Sequence, residues 1–341
     1  MSSIIPKHRV CICGAGVAGL SSALAIYENA TSPVEITVLA EHFPSEVNYP
    51  LTSDGAGALW ELRTENHREF ATATFRRYET LIATNKAVSA GVSLCNGIEW
   101  IKPSNVTREF LAKDLIHDFQ LVTQDEVRDA SLRLGREFVA GWRYTSFIVD
   151  SPTYMKYLMT SLTNYGCNFI KTRVHSLESL RSKYDGVVNA SGYGARVLTP
   201  DENVFPIRGQ TLVVTAPLIT KWQVADSETD LTYILPRLTS GLVVCGGTYE
   251  EKSDDLLPNK ETRDGIIERC SKLCPDLLSK HICLDESPDW VGLRPARIGD
   301  VRCELGEDGV IHNYGHSGCG HSLHWGCALK VADLVWSKLM K

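Results

Sequence analysis

The chain has 341 residues, of which 43% are hydrophobic and 22% charged, a composition typical of a globular protein and not of a disordered or fibrous one. Its formal charge of −6 and the lack of a dense basic run argue against a nucleic-acid partner, because phosphate binding needs a surplus of lysine and arginine on one face. The apolar runs are too short for a membrane-spanning helix, so no membrane partner is expected.

The chain opens with a strand, a glycine-rich turn, a helix and a second strand. Residues 9–13 have the apolar pattern of a buried strand, residues 14–19 read Gly-Ala-Gly-Val-Ala-Gly, and residues 20–28 have helical spacing. Residues 34–39 have a second strand pattern, and Glu41 follows it. This order predicts a complete βαβ unit.

The glycine turn and the acid predict a dinucleotide site. Gly14 permits the tight turn, Gly16 lets the backbone approach a pyrophosphate, and Gly19 lets the helix pack closely on the strand. The helix N-terminus offers N–H groups and the positive end of its dipole to phosphates. Glu41 suits the hydroxyls of an adenosine ribose and disfavours the 2′-phosphate of NADP. The motif does not separate FAD from NAD, and a turn that only packs helix on strand is the alternative.

Further helices and strands are predicted through the rest of the chain. Helical spacing occurs in residues 67–85, 152–163 and 262–274, and in a last helix that starts near residues 320–322. Strand patterns occur in residues 186–192, 210–214, 232–235 and 241–245. Pieces of a nucleotide-binding sheet therefore lie at both ends and in the middle of the chain, with more antiparallel segments between them.

This order predicts an α/β fold with two interleaved domains. The first is a Rossmann-like nucleotide-binding domain formed by residues 1–60, 140–205 and 290–341. The second is an α+β substrate domain with a mainly antiparallel sheet, formed by residues 61–139 and 206–289.

Several ordered segments resemble one family of flavoproteins. They are the opening turn with Leu20 and Ser21, residues 54–60 (Asp-Gly-Ala-Gly-Ala-Leu-Trp), 188–192, 208–210, 233–237 with 245–249, 292–297 (Gly-Leu-Arg-Pro-Ala-Arg), and 312–320 with 324–328. Together they cover nearly the whole chain and resemble the D-amino-acid oxidase and D-aspartate oxidase family, with segments similar to its fungal branch and to its animal branch. The resemblance, and not the glycine motif, implies FAD as the cofactor.

The resemblance implies oxidative deamination of D-amino acids with neutral or varied side chains, with dioxygen as the second substrate. The products would be a 2-oxo acid, ammonia and hydrogen peroxide. The α-hydrogen would leave as hydride toward flavin N5, so the main task of the protein is to position the substrate. Arg294 matches the arginine that binds the substrate carboxylate, for which its planar fork is suited. Tyr233 and Tyr249 match two tyrosines that hydrogen-bond this carboxylate.

The resemblance also assigns residues to the FAD and to the substrate pocket. The loop at residues 315–322 precedes a helix whose N-terminus points at the flavin C2 carbonyl, where the dipole stabilises the reduced cofactor. Gly318 and Glu61 are assigned to the substrate pocket. The residues assigned to the FAD are Gly14, Ala15, Gly16, Val17, Gly19, Glu41, His42, Ser53, Gly57, Ala58, Leu59, Trp60, Val174, Ser191, Gly192, Arg294, Ser317, Gly318, Gly320, His321 and Ser322.

Three residues bear on the choice of substrate. Glu61 stands where vertebrate members have a glutamine, and it either lies near the substrate side chain, which favours basic D-amino acids, or faces solvent. Tyr249 stands where D-aspartate oxidases have an arginine, and this favours neutral over acidic substrates because an unpaired buried charge is costly. Arg237 is expected to be a solvated turn residue and not a partner for acidic substrates. A D-aspartate oxidase and a non-catalytic dinucleotide-binding sensor are the alternatives.

Metal binding, location and assembly complete the expectations. His312, His316, His321 and His324 have ligand-like spacing, but the flavin loop accounts for this segment and no thiolate or carboxylate completes a set, so no metal is expected.

The 11 cysteines have no framework spacing, which favours reduced thiols inside a cell. The peroxisomal tripeptide Ser-Lys-Leu at residues 337–339 is internal, which leaves a peroxisomal and a cytosolic location open. A homodimer is the assembly considered.

Overall fold

The computed structural model describes residues 7–46, 51–105, 110–225, 231–284 and 286–340. The strands in these ranges are β1 (His8–Cys13), β2 (Val34–Ala40), β3 (Val92–Ile101), β4 (His117–Leu121), β5 (Ala140–Val149), β6 (Asn168–Lys171), β7 (Gly186–Asn189), β8 (Val204–Thr215), β9 (Trp222–Ala225), β10 (Tyr233–Arg237), β11 (Leu242–Gly246), β12 (Glu250–Glu251), β13 (Asp289–Arg297), β14 (Arg302–Leu305) and β15 (Ile311–Tyr314).

Helices connect these strands and pack beside them. They are α1 (Val17–Glu28), α2 (Thr52–Gly55), α3 (Arg68–Ala83), α4 (Ala87–Ala90), α5 (Gln124–Leu134), α6 (Ser151–Asn164), α7 (Glu178–Arg181), α8 (Ala195–Leu198), α9 (Lys260–Leu273) and α10 (Gly320–Leu339). Within the described ranges, none of them combines the length and the apolar character needed to cross a bilayer.

One sheet has six strands in the order β14-β15-β7-β1-β2-β6. Strand β1 lies inside this sheet and pairs in parallel with β2 and β7, so that Val10 lies opposite both Ile36 and Gly186. The second half of β1 is completely buried, as expected for a parallel strand covered on both faces. Helices α1 and α10 pack together beside this sheet, although they come from opposite ends of the chain.

The second sheet has nine strands, in the order β12-β8-β11-β10-β9-β3-β5-β4, with β13 also paired to β8. Its pairs are antiparallel except for β3 with β9. At one end of this sheet, strand β8 pairs with three strands, β11, β12 and β13. The register of β13 on β8 places Gly292 opposite Gly209 and Arg294 opposite Ile207.

The predicted architecture, a Rossmann-like α/β part with a mainly antiparallel second sheet, is confirmed. The helix predicted at residues 20–28 is found as α1, which starts three residues earlier, and the four helices predicted after it are found as α3, α6, α9 and α10, with ends within two residues of the expected ones. Sheet membership differs from the expected domain segments in two places. Strand β5 falls in the segment 140–205 but pairs with β3, and β13 falls almost entirely in the segment 290–341 but pairs with β8. Both strands belong to the nine-stranded sheet.

Candidate active site

A single cleft of about 1270 Å³, lined by residues of both sheets, collects most of the predicted site residues. Those that line it are Gly14, Ala15, Gly16, Val17, Glu41, His42, Ser53, Gly57, Ala58, Leu59, Glu61, Val174, Ser191, Gly192, Tyr233, Tyr249, Arg294, Ser317, Gly318, Gly320, His321 and Ser322. Gly19 and Trp60 are the predicted site residues outside this lining. The fold therefore brings to one cavity residues that are scattered over almost the whole chain.

The glycine turn between β1 and α1 is packed too tightly to accept side chains. Gly14 has φ +113°, and a Cβ there would overlap the carbonyl oxygen of Ala190, just after β7. A Cβ on Gly19 would in turn overlap the carbonyl oxygen of Gly14. Gly19 therefore lies beneath the turn and allows close packing of the helix, while Gly14 keeps the turn against the neighbouring strand.

The N-terminus of α1 forms one wall of the cleft. Gly16 is its N-cap, and the N–H of Val17 donates to Ser53 Oγ at 3.0 Å. The first turn carries no acidic residue that would offset the helix dipole. Glu41 lies just beyond β2, with Oε1 3.7 Å from Arg173 Nε. The cleft therefore offers a positive helix end to phosphates and a carboxylate to a ribose.

The segment at residues 54–61 contributes to the cleft without the side chain of its tryptophan. Trp60 is buried in the core, where Nε1 donates to the Ala71 carbonyl at 3.1 Å and the ring packs edge-on against Phe75. A Cβ on Gly57 would overlap the side chain of Leu235, so the segment lies tight against β10. The assignment of Trp60 to the cofactor is thus corrected for its ring, which fills the hydrophobic core instead.

Arg237 is buried, so the expectation of a solvated turn residue is wrong. It ends β10 with 3% of its surface exposed, and Nη2 donates to the carbonyl oxygens of Asp54 and Ala56 at 3.0 and 3.1 Å. Burial lowers the pKa of Arg237 and raises the pKa of Asp54. Arg237 does not line the cleft but holds the backbone of a segment that does.

Replacing Arg237 with alanine is expected to destabilise the protein and to weaken cofactor binding. The substitution removes the donor to the Asp54 carbonyl oxygen and one of two donors to the Ala56 carbonyl oxygen, which keeps its hydrogen bond from Ser151 Oγ. It also removes the cation that faces the Asp54 and Asp150 carboxylates, and the expected loss is about 3 kcal/mol or more at this buried site. Thermal unfolding and cofactor titration measure the two effects. An unfolding temperature and an affinity equal to those of the unchanged protein would contradict this role.

Arg294 and the two predicted tyrosines meet around residues 246–249. Arg294 Nη1 donates to the Thr248 carbonyl oxygen at 3.1 Å, and its guanidinium carbon lies 5.8 Å from the centre of the Tyr249 ring. The Tyr233 ring lies against Gly246, where a Cβ would overlap it. The side chains that the sequence assigned to one carboxylate therefore gather at one end of the cleft.

The guanidinium of Arg294 has room for an anion. A Cβ on Gly209 would overlap it, so the glycine in β8 is what makes space for this side chain. Its hydrogen bonds go to the carbonyl oxygens of Arg208 and Thr248, and no carboxylate of the described residues pairs with it. A half-buried guanidinium that no protein carboxylate of the described residues neutralises is suited to bind the carboxylate of a ligand.

Glu61 lines the cleft beside the start of α10. Its backbone N–H donates to Ser322 Oγ at 3.1 Å, and its Oε2 accepts from Arg63 Nε at 2.8 Å. Arg63 lines the cleft as well. Glu61 therefore lines the cleft with a cation beside its carboxylate, and its effect on the choice of substrate stays a prediction.

The N-terminal part of α10 is fixed by a buried hydrogen-bond network. His321 Nε2 donates to the Ser53 carbonyl oxygen at 3.0 Å. The Tyr78 hydroxyl donates to the His321 carbonyl at 2.7 Å, so its oxygen accepts from His324 Nε2 at 3.1 Å. Ser21 Oγ completes the network by donating to His324 Nδ1 at 2.8 Å. The network ties the start of α10 to α1 and α3, and burial lowers the pKa of His324, which stays neutral.

Three other histidines near this loop have shifted pKa values. Burial lowers the pKa of His316 and of His321 to about 4. The pKa of His67 is raised to about 9, first by the Cys319 thiol and then by the Asp300 carboxylate, whose Oδ1 lies 2.5 Å from His67 Nε2. His67 is therefore a cation, and the other two are neutral, at physiological pH.

The free energy of unfolding is expected to fall on both sides of neutrality. His316 and His321 fold as neutral groups, so the stability present above about pH 6.5 is lost as the pH falls towards about 4. His67 folds as a cation, so its contribution is present below about pH 6.5 and is lost as the pH rises through about 9. Thermal unfolding from pH 4 to 10 measures both limbs. The His67→Gln variant should flatten the alkaline limb most and the acid limb slightly, because the His67 charge also helps to lower the pKa of His316, and equal changes in both limbs would contradict the assignment.

Of the histidines that the sequence analysis grouped together, His321 and His324 stay close in the structure, with ring centres 6.3 Å apart. In the parts of the chain that the structure describes, no three His, Cys, Asp or Glu side chains are grouped closely enough to hold a metal ion. His312 is buried on β15 with Nε2 3.6 Å from Asp308, whereas His324 belongs to the network under α10.

Several cleft residues were not anticipated from the sequence. Trp290 of β13 lines the cleft and packs on Gly55, where a Cβ would overlap the indole. Arg269 of α9 also lines it, and Nη2 donates to the Gly247 carbonyl at 3.3 Å. These contacts join elements distant in sequence, and no local pattern marks them. Arg63 could have been predicted from its distance along the chain to Glu61. Side chains two residues apart lie on the same side of an extended segment, so a pocket position for Glu61 implies one for Arg63.

The residues of the cleft fit an FAD. Gly14 and Gly16 line the cleft without side chains, next to a helix N-terminus of the kind that binds pyrophosphate. Asn313 Oδ1 and His321 Nδ1 belong to buried side chains that line the cleft, and neither atom has a hydrogen-bond partner among the described residues. Such orphaned polar atoms are expected where a polar cofactor binds.

The parallel sheet with its glycine turn, and the arginine that the second sheet brings to the same cleft, define a dinucleotide-dependent oxidoreductase. Residues 9–334 match the family described as FAD dependent oxidoreductase. The chain belongs to this family, and its cofactor is FAD.

Known proteins of similar sequence match the chain over nearly its whole length. It is 34% identical to the D-amino-acid oxidase of Rubrobacter xylanophilus, with 97% of each chain covered. It is 31% identical to the human D-aspartate oxidase, with 96% of this chain and 94% of that protein covered. Among solved structures, the glycine oxidase of Bacillus cereus superimposes with a TM-score of 0.74 at 20% identity, covering 97% of this chain and 96% of that one. This last match concerns the fold alone.

Proposed function

We propose that the protein oxidises D-amino acids with neutral or varied side chains to 2-oxo acids, releasing ammonia and passing the electrons to dioxygen as hydrogen peroxide. The observation that carries this proposal is the Arg294 guanidinium, which lines the cleft with no carboxylate of the described residues to balance it. The full-length similarity to D-amino-acid oxidases of Rubrobacter xylanophilus and Dictyostelium discoideum supports the same reaction.

Arg294 is the proposed anchor of the substrate carboxylate. Its planar fork can donate two parallel hydrogen bonds, which fix both the position and the plane of a carboxylate. The hydroxyls of Tyr233 and Tyr249 are the proposed further donors, since both rings lie around the same short segment as Arg294. Holding the carboxylate in one plane fixes one end of the substrate, and contacts to its amino group and side chain are needed as well before the α C–H bond of only one enantiomer faces the cofactor.

Bound FAD supplies the hydride acceptor and then the electrons for dioxygen. The protein's own residues contribute by positioning the substrate and by stabilising charge electrostatically. The N-terminus of α10 lines the cleft at Gly320, where a 20-residue helix offers the positive end of its dipole. A positive helix end favours negative charge on whatever group lies against it, and here it would stabilise the reduced cofactor.

The proposal is tested with the purified holoprotein. Anaerobic addition of D-alanine should bleach the yellow flavin, whereas L-alanine should not. In air, hydrogen peroxide should form in step with consumption of the D-amino acid. A flavin that stays oxidised with a broad panel of D-amino acids would defeat the proposal.

Acidic D-amino acids are a second candidate substrate class, which one observation favours. Arg63 brings another cation to the part of the cleft near Gly318 and Arg294, and the chain is similar to human D-aspartate oxidase over nearly its whole length. Against this class stand Tyr249, in the place of an arginine, and the Glu61 carboxylate that pairs with Arg63. The ratio of kcat/KM for D-aspartate to that for D-alanine decides between the two classes.

Domain division, location and assembly stay predictions. We propose that the six-stranded sheet with its helices holds the FAD and that the nine-stranded sheet supplies most of the substrate pocket, with residues 140–149 and 289–297 assigned to the second part. A peroxisomal or cytosolic location and a homodimer are proposed from the family resemblance alone. Fluorescence microscopy of the tagged protein and sedimentation velocity test them.

A further inference from the structure

The register of β8 changes between its pairing with β11 and its pairing with β12. Gly246 of β11 lies opposite Thr211, and Glu250 of β12 lies opposite Arg208. Three residues, 247–249, therefore face only two residues of β8. One extra residue on one strand is a β-bulge, which interrupts the ladder and changes the direction of the groups it carries. All three residues of this bulge line the cleft.

The backbone N–H of Gln210 in β8 points at the bulge and has a side-chain oxygen as its acceptor. In a regular antiparallel ladder, a carbonyl oxygen of the neighbouring strand accepts from such an N–H. Here Thr248 Oγ1 accepts from it at 3.0 Å. Gln210 is completely buried, and a buried N–H without a partner is costly. The threonine hydroxyl therefore fixes the bulge on β8.

The main chain of the same threonine holds the Arg294 side chain. The Thr248 carbonyl oxygen accepts from Arg294 Nη1 at 3.1 Å, and the Arg208 carbonyl oxygen accepts from the same nitrogen at 3.4 Å. Nε and Nη2 have no hydrogen-bond partner among the described residues. These two nitrogens carry the parallel N–H groups of one edge of the guanidinium, an arrangement that binds a carboxylate through two hydrogen bonds. The main-chain contacts therefore leave this edge for a ligand.

We propose that Thr248 is a positioning residue for Arg294. Its hydroxyl seats the bulge on β8, and its carbonyl oxygen then holds Nη1 so that the edge with Nε and Nη2 is presented to the substrate carboxylate. Tyr249, whose ring centre lies 5.8 Å from the guanidinium carbon, belongs to the same bulge and is placed with it. The inference rests on the proposed function, because it names a further residue of the same carboxylate site.

The test compares the Thr248→Val and Thr248→Ser variants with the unchanged protein, each as the holoprotein. Valine has nearly the shape of threonine without the hydroxyl, whereas serine keeps the hydroxyl. The probe is propionate, a small carboxylate without an amino group, and its binding is followed by the visible spectrum of the FAD.

Thr248→Val should raise the Kd of propionate and lower kcat/KM for D-alanine, each at least about tenfold, because a misplacement of about 1 Å can cost about a hundredfold. Thr248→Ser should stay within about threefold of the unchanged protein in both measurements, because it keeps the hydrogen bond. A serine variant as weak as the valine variant, or a valine variant within about threefold of the unchanged protein, would overturn the proposal. Thr248→Cys, whose thiol is a weak acceptor, replaces the valine variant if that variant loses its FAD.

The matched control is Thr74→Val, which removes another buried hydroxyl that accepts from a backbone N–H. Thr74 Oγ1 accepts from the Trp325 N–H at 3.1 Å, and Thr74 is outside the cleft lining. This variant should unfold at a lower temperature than the unchanged protein, but its Kd for propionate should stay within about threefold. An equal rise of the Kd in Thr74→Val and Thr248→Val would mean that a general loss of stability accounts for the effect, and it would overturn the proposal.

A double variant tests whether Thr248 acts through Arg294. Arg294→Lys removes the planar fork, so adding Thr248→Val to it should change the Kd of propionate by less than about threefold. A further loss of about tenfold or more would show that the two substitutions act independently, and it would overturn the proposal.

Propionate binding also separates this inference from the proposed function. If the unchanged holoprotein binds propionate but oxidises no D-amino acid, the proposed function fails while the Kd values still decide the role of Thr248. If propionate leaves the spectrum of the unchanged protein as it was, Arg294 holds no carboxylate beside the FAD and the inference is overturned.

Discussion

Replacing Arg294 with alanine is expected to lower kcat/KM for D-alanine by at least about a thousandfold. Losing one partner of a buried, hydrogen-bonded charge pair costs about 2–5 kcal/mol, and here the loss also frees the substrate to rotate. The lysine variant should retain part of the activity, because an ammonium keeps the charge but not the planar fork. Steady-state kinetics per bound flavin measure the effect, so any loss of FAD is counted separately.

The matched control for Arg294 is the Arg76→Ala variant, in which an exposed arginine of α3 outside the cleft lining is removed. It should retain the kcat/KM of the unchanged protein, since an exposed ion pair of this kind contributes little. Less than a tenfold loss in Arg294→Ala would mean that the substrate carboxylate binds elsewhere, and the proposed function would lose the observation that carries it.

Replacing Gly14 with alanine is expected to abolish FAD binding. The new Cβ would overlap the carbonyl oxygen of Ala190, and the residue would have to keep φ at +113°, which L side chains rarely adopt. The turn would therefore move away from β7 and carry the N-terminus of α1 with it, which misplaces the phosphate-binding N–H groups. We expect a colourless protein, and the 450 nm absorbance of the purified variant measures it.

Gly166→Ala is the matched control for the glycine turn. Gly166 also has a positive φ, +82°, but a Cβ there meets no atom within 4 Å. This variant should bear only the backbone strain, about 1–2 kcal/mol, and should keep its FAD. Equal flavin loss in both variants, or a yellow Gly14→Ala protein, would contradict a specific role for the turn.

The nucleotide-binding half could be predicted from sequence because its signals are local. The strand, the glycine turn, the helix and Glu41 all fall within one βαβ unit, and each has its own periodicity or residue type. The roles of Gly14 and Gly19 follow from the same unit, and the structure places both as the pattern requires. The substrate end depended on resemblance, because Tyr233, Tyr249 and Arg294 meet only through sheet pairing between distant segments.

The errors have identifiable physical causes. Pro236 suggested a turn at Arg237, but β9 pairs with β10 only at Tyr233 and Ile234, so the N–H that proline lacks costs no hydrogen bond to β9. Arg237 can be buried because the carbonyl oxygens of Asp54 and Ala56 accept its hydrogen bonds. These residues are far from Arg237 in the sequence, so no local pattern predicts the contact. Trp60 was assigned to the FAD together with its neighbours, and the resemblance did not indicate that its ring is buried in the core against Phe75.

The joining of α1 to α10 has a consequence for how the protein is made. Ser21 and His324 are 303 positions apart, yet their hydrogen bond lies beside the glycine turn, and Asn313 donates to Ser22 across a similar separation. During synthesis the nucleotide cradle therefore emerges long before the helix that completes it. A nascent chain that has not yet formed α10 lacks these hydrogen bonds, so we expect it to hold the flavin less tightly than the folded protein does.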